Sequence, residues 1–212
     1  MTTDLDQLHE EHVLLPIGLE GPERFTQEGL GWTPWLAPLP VEEFGERHWA
    51  GVVEPQRAKM PYFALLAREP EILAARTLTD FDIFQNPDGG LPVAERELSA
   101  AAASRVNGCV FCASVHARAA TRLSGRESDV QALLDDGTAA KIDERWDALI
   151  EAARALTVTP SEFSTSHVER LRGLGLTDVD IADVIAGAAF FNWANRLMLS
   201  LGEPTVPRRR RP

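Results

Sequence analysis

The chain holds only two cysteines, and both lie in one short stretch, NGCVFCASVHAR at 107–118. They are Cys109 and Cys112, with His116 four residues further on. On a helix, positions i, i+3 and i+7 share a face, so both sulfurs and the imidazole would line up. A thiol at a helix N-terminus meets unpaired N–H groups and the positive end of the dipole, which favour thiolate. Two thiols at this spacing can close a disulfide with little backbone movement. A redox dithiol needs that arrangement: one attacking sulfur and one resolving sulfur within reach. An imidazole ordinarily titrates near neutrality, so His116 is suited to carry protons to or from a sulfur.

Such a base needs an orienting partner. Glu97 stands twelve residues before Cys109, which on one straight helix is about 18 Å. Asn107-Gly108 favours a helix stop or turn. An antiparallel helical hairpin folded there would bring Glu97 and His116 within about one turn of each other, directly or through a water. Two other readings of the same residues stand beside this one. Cysteines in a helical protein can be small buried hydrophobes that only pack. Cys109, Cys112, His116 and a carboxylate could also hold zinc, although structural zinc usually draws four N or S ligands from two CxxC-like pairs. A thioredoxin-like use of CxxC requires a βαβ context, which the pattern lacks.

Other polar residues suggest less. His9-Glu10-Glu11-His12 does not have the HExxH spacing and reads as solvated. His48 and His167 are expected on helix surfaces. Asn192, Asn195 and Arg196 form a polar stripe on an otherwise apolar final helix. Buried polar groups need partners, so the stripe reads as a contact to another helix or subunit, or as part of a pocket lining.

The elements that must position these residues are helical. Residues 1–40 are rich in Pro and Gly without sustained period, and read as an extended arm whose Trp32, Trp35 and Leu36 seek cover on the body or on a neighbouring subunit. VEEFGERHWAGVVEPQR begins acidic and ends basic, as the helix dipole prefers. EPEILAARTLTDFDIF has Pro70 near its start, with Ile72, Leu73, Ala75 and Leu78 roughly on one side. NPDGG at 86–90 breaks the chain, and Pro92 then suits the first turn of a helix that runs to Asn107-Gly108. Helices are expected from about Val110 to Leu123, over ESDVQALLDDG with Gly137 closing it, over DERWDALIEAARALTV and over HVERLRGLGL. The last, TDVDIADVIAGAAFFNWANRLMLSL, starts from a Thr177/Asp180 capping box. No run has convincing strand periodicity, and the domain is expected to be all-α over 41–206, followed by a basic tail at 207–212.

The 212 residues are 44% hydrophobic and 25% charged, the balance of a globular chain of about one domain. A formal charge of −11 argues against nucleic acid as a partner, which would require a basic face. The RRRR run at 208–211 reads as a solvated end. The start is polar and acidic rather than signal-like, and the apolar run from Ile185 to Phe191 is too short to span a bilayer. Cytoplasmic residence and no membrane partner are therefore expected, a setting in which cysteines stay reduced.

Glu97, eleven residues, Cys109, two residues, Cys112, three residues, His116: this E-x11-C-x2-C-x3-H pattern resembles the active-site signature of alkyl hydroperoxidase D proteins, within the carboxymuconolactone decarboxylase-like superfamily. AERELSAAAASRVNGCVFCASVHAR, VERLRGLGLTDVDIADVI and FFNWANRLMLSLGEP resemble its peroxidase-related branch, and the likeness runs from about Met60 to Pro204. The resemblance implies an all-α, cofactor-free homo-oligomer that reduces hydroperoxides as an antioxidant. It implies Cys112 as the peroxidatic sulfur, Cys109 as the resolving one, Glu97 and His116 as a proton relay, and an external lipoyl-type or thioredoxin-like dithiol as reductant. Phe111 departs from the family pattern, which has histidine there. Decarboxylase members generally lack the CxxC pair, so lactone decarboxylation is the weaker alternative, beside a non-catalytic oligomer with packing cysteines.

Overall fold

A computed structural model describes residues 21–206. The HEEH motif, the first half of the expected arm and the arginine tail lie outside them. The described chain is helical almost throughout. Its helices are α1 (Glu46–Val52), α2 (Pro61–Leu66), α3 (Pro70–Gln85), α4 (Val93–Val106), α5 (Val110–Ser124), α6 (Glu127–Asp136), α7 (Glu144–Thr157), α8 (Thr165–Gly173) and α9 (Asp178–Leu201).

α4 is the central element, packed against α5, α7 and α9. Every residue from Glu95 to Arg105 is buried. The run Ala100–Ala103 explains how: methyl side chains let three helices approach closely with no long side chains to place. Polar residues of α4 find partners. Arg96 donates from Nε to Leu91 O and from Nη1 to the carbonyls of Ile83 and Asn86. It thereby ties the NPDGG break to the helix that follows.

Local signals place most helix ends. Asp143 caps α7 by accepting from Trp146 N, and Thr177 and Asp180 form the reciprocal box at the start of α9. Two expected helices differ. The segment from Val41 is broken into a 3₁₀ turn at Val41–Glu43, then α1, then a second 3₁₀ turn at Pro55–Lys59. Val53 has φ 63°, the only positive value at a non-glycine residue among those described, a conformation that ends a helix and is costly for a β-branched side chain. In α3 the buried stripe is Leu73, Thr77 and Phe84. Ile72, Ala75 and Leu78, expected on one side with Leu73, are exposed.

The structure also contains a small sheet. β1 (Gly31–Pro34) pairs antiparallel with β2 (Gly202–Thr205), with Trp32 opposite Pro204. Gly202 is required there, because a Cβ would meet Thr33 O and the Trp32 ring at 2.4 Å. This clasp joins the arm to the end of α9 in the same chain. Trp32 packs edge-on to Tyr62, whereas Trp35 and Leu36 stay exposed. No helix among the described residues is long and apolar enough to cross a membrane.

Candidate active site

Gly108, at φ 74°, ends α4 in a left-handed turn that glycine adopts without steric cost. Cys109 N donates to Ser104 O and Gly108 N to Arg105 O, the paired bonds of a Schellman stop. The chain reverses there, and Cys109 becomes the N-cap of α5. α5 runs back along α4, and His116 Nδ1 comes 2.5 Å from Glu97 Oε2. Both side chains are buried. The ring of His116 lies 3.9 Å from that of Phe191, and Phe84 packs on it as well. The carboxylate and the two rings fix the imidazole. With Nδ1 on Glu97, Nε2 is the nitrogen left for other chemistry.

The sulfurs face different surroundings. Both are free thiols. Cys112 and His116 line a cavity of about 280 Å³, whose walls include Met60, Tyr62, Phe111 and Met198. Cys109 borders a void of about 10 Å³, closed by Trp32, Gly202 and Pro204 of the clasp. The arm segment therefore seals the inner sulfur, and the outer one is reached from the cavity.

The electrostatics run the other way. The Cys109 thiol is held below its ordinary range, first by a hydrogen bond from Cys112. The backbone N–H groups of Cys112 and Phe111 and the side chain of Asn195 act in the same direction, against burial. Cys112 is pushed well above the ordinary range by that same bond, by burial and by the charge of its neighbour, with Asn195 and Arg76 opposing. Of the two sulfurs, Cys109 at the helix N-terminus is therefore the one that more readily gives up its proton. Cys112 holds the proton and the access.

Asn195, fully buried, belongs to this site. Its Nδ2 donates to Ser104 Oγ and its Oδ1 accepts from Asn107 Nδ2, which fixes the amide and leaves its second N–H for the sulfurs. Asn192 accepts from Asn107 as well. The polar stripe of α9 is thus a contact to the α4–α5 corner, whereas Arg196 bonds Asn192 and Thr159 near the surface. His48 and His167 serve as local caps, accepting from Gly45 N and Ser164 N.

Sequence reasoning did not single out Tyr62, Arg57, Arg76 or Asp80, which also line the cavity. Arg76 Nη1 is 3.3 Å from Asp80 Oδ2 and Arg57 Nη1 is 3.7 Å from it. The available signal was the buried stripe of α3: Arg76 and Asp80, four apart, lie next to Leu73, Thr77 and Phe84 and had to be at least partly covered.

The core is thus all-helical, with a buried carboxylate–imidazole pair near a CxxC pair whose Cys112 faces the cavity. Residues 70–157 match the model of the carboxymuconolactone decarboxylase family. A peroxidase-related protein from Ralstonia eutropha JMP134, described as having an alkylhydroperoxidase AhpD core, superposes with a TM-score of 0.69 at 24% identity, over 79% of this chain and 90% of that one. A peroxidase-related protein from Silicibacter sp. TM1040 does so with a TM-score of 0.62 at 27% identity, over 80% and 88%. The apo debrominase Bmp8 shares the fold at 17% identity, with a TM-score of 0.64 over 82% and 92%. No curated protein sequence matches the chain. Over residues 70–157 the chain is similar to the carboxymuconolactone decarboxylase family, and its fold is that of the alkylhydroperoxidase D-like, peroxidase-related proteins.

Proposed function

We propose that the protein is a cofactor-free dithiol peroxidase that reduces organic hydroperoxides. The observation that carries this reading is that His116, held 2.5 Å from Glu97, lines the same cavity as Cys112, with Cys109 beside that sulfur. The proton of Cys112 passes to the Cys109 thiolate, and the Cys112 sulfur attacks the terminal peroxide oxygen. The O–O bond breaks, the alkoxide takes a proton from the His116–Glu97 pair and leaves as alcohol, and Cys112 becomes a sulfenic acid. Cys109 then attacks that sulfur. An S–S bond forms, the S–O bond breaks, and hydroxide leaves as water with the remaining proton. An external dithiol attacks Cys112, the sulfur open to the cavity, and Cys109 departs as a thiolate stabilised by the N-terminus of α5; the reductant's second thiol then attacks its own sulfur in the mixed disulfide, and Cys112 is released. One hydroperoxide and one dithiol thus give alcohol, water and the oxidised reductant.

The test is hydroperoxide consumption with dihydrolipoamide or a thioredoxin-like dithiol as reductant. Cys112→Ser should abolish peroxide-dependent oxidation, and Cys109→Ser should leave a sulfenic acid on Cys112 that a dimedone probe captures. Oxidation surviving in Cys112→Ser and absent from Cys109→Ser would reverse the two roles.

A further inference from the structure

The cavity beside Cys112 has two kinds of wall. Most of it is apolar, formed by Met60, Phe63, Phe111, Val115, Phe191 and Met198. One end carries Arg57, Arg76 and Asp80, which puts two guanidinium groups against a single carboxylate on the lining. Arg57 has a second partner outside the cavity, since its Nε donates to Glu54 at 2.7 Å. Arg76 has no second carboxylate among the described residues. Its side chain is only 8% exposed, Nη1 approaches Asp80 without hydrogen-bond alignment, and Nε and Nη1 have no hydrogen-bond acceptor. The guanidinium instead rests among the rings of Tyr62, Phe63 and Phe190. The Tyr62 hydroxyl, also buried, has no partner in full hydrogen-bond alignment, and the Arg76 guanidinium is the polar group that acts on it. Buried donors left unmatched are uncommon in folded proteins and call for an explanation. A fixed, desolvated guanidinium at the edge of an apolar cavity is suited to a carboxylate, which accepts charge-assisted bonds from its fork.

We propose that the Arg57–Arg76 end of this cavity binds the carboxylate of its substrate, so that the preferred hydroperoxide is an anionic one with an apolar body, such as a short fatty-acid hydroperoxide. The peroxide group would lie toward Cys112 and His116, the hydrocarbon against the methionines and phenylalanines, and the carboxylate beside Arg76. At about 280 Å³ the space is at the small end of ligand pockets, which favours a short chain. The identity of the reacting group rests on the peroxidase reading; the anion site does not.

The experiment compares ω-hydroperoxyhexanoate with its methyl ester in wild type, Arg76→Gln and Arg57→Gln. One charge-assisted contact should favour the acid by about tenfold or more in kcat/KM, and each substitution should move that ratio toward one. Equal rates for acid and ester in the wild type, or a preference untouched in both variants, overturns the site. A second arm needs no peroxide chemistry. Alkylation of Cys112 by iodoacetate and by iodoacetamide is followed by peptide mass spectrometry, with glutathione as the reference thiol. The iodoacetate-to-iodoacetamide rate ratio should exceed that of glutathione and fall in Arg76→Gln. If the wild type reduces neither peroxide, the peroxidase reading fails, and this ratio alone then decides the anion site. If Arg76→Gln does not fold, Arg57→Gln and the wild-type ratios carry the same decision.

Discussion

Replacing Glu97 with glutamine separates the relay from the scaffold. The carboxylate is 2.5 Å from His116 Nδ1 and both groups are buried, so water cannot stand in for it. Glutamine has nearly the same shape, and its carbonyl can still accept from a neutral imidazole. The loss is the negative charge on the acceptor of that hydrogen bond. A hydrogen bond to a charged group contributes about 1.5–3 kcal/mol, so the proton-transfer step should slow roughly 10- to 150-fold. Because re-reduction can limit steady-state turnover, the informative assay is a single turnover: stopped-flow oxidation of the pre-reduced protein by an organic hydroperoxide. Thermal melts of the same samples should stay close to wild type, since nothing is removed from the core. Glu97→Ala, which leaves Nδ1 without its acceptor, should cost both rate and stability. An oxidation rate for Glu97→Gln within twofold of wild type, with an unchanged melt, would refute the relay.

Cysteine alkylation should show the shared proton. In wild type Cys112 should alkylate slowly until pH rises past the ordinary thiol range, because its pKa is raised by Cys109 and burial. In Cys109→Ser its profile should move to lower pH as that charge disappears, which peptide mass spectrometry can follow. Asn195→Leu removes an amide held by Ser104 and Asn107. It should raise the pH at which the Cys109 thiolate forms and destabilise the fold by about 1–3 kcal/mol in urea melts. Phe111→His should place a proton carrier on the cavity wall and raise the single-turnover rate by up to about a hundredfold. Unchanged kinetics would show that the ring at 111 is only a wall. Trp35, Leu36 and Trp193 are exposed, and an assembly that covers them should appear as a homo-oligomer by light scattering at micromolar concentration; a monomer would leave them uncovered.

The geometry of the α4–α5 corner was legible in the sequence because its determinants are local. Asn107-Gly108 stops one helix through bonds to Ser104 and Arg105, the next begins at once, and the spacing of Glu97 and His116 around that stop leaves them little choice but to meet. The capping residues Asp143 and Thr177 act over three residues and were readable for the same reason. The break inside the Val41–Arg57 segment was not, because charge order suggested one helix while Val53 adopts a conformation that no local pattern announces. The outward turn of Ile72 and Leu78 was hidden as well, since periodicity shows that a helix has a face and packing partners choose which face is covered. The β1–β2 clasp joins strands of four residues about 170 positions apart, each containing a proline, with too few side chains to show a period. Yet that contact closes the space beside Cys109. Only the tertiary structure decided which sulfur meets the cavity, and only it placed Arg57, Arg76 and Asp80 on the cavity wall. Such residues come together through burial of unrelated helix faces, and a buried arginine among aromatic rings has no signature along the chain.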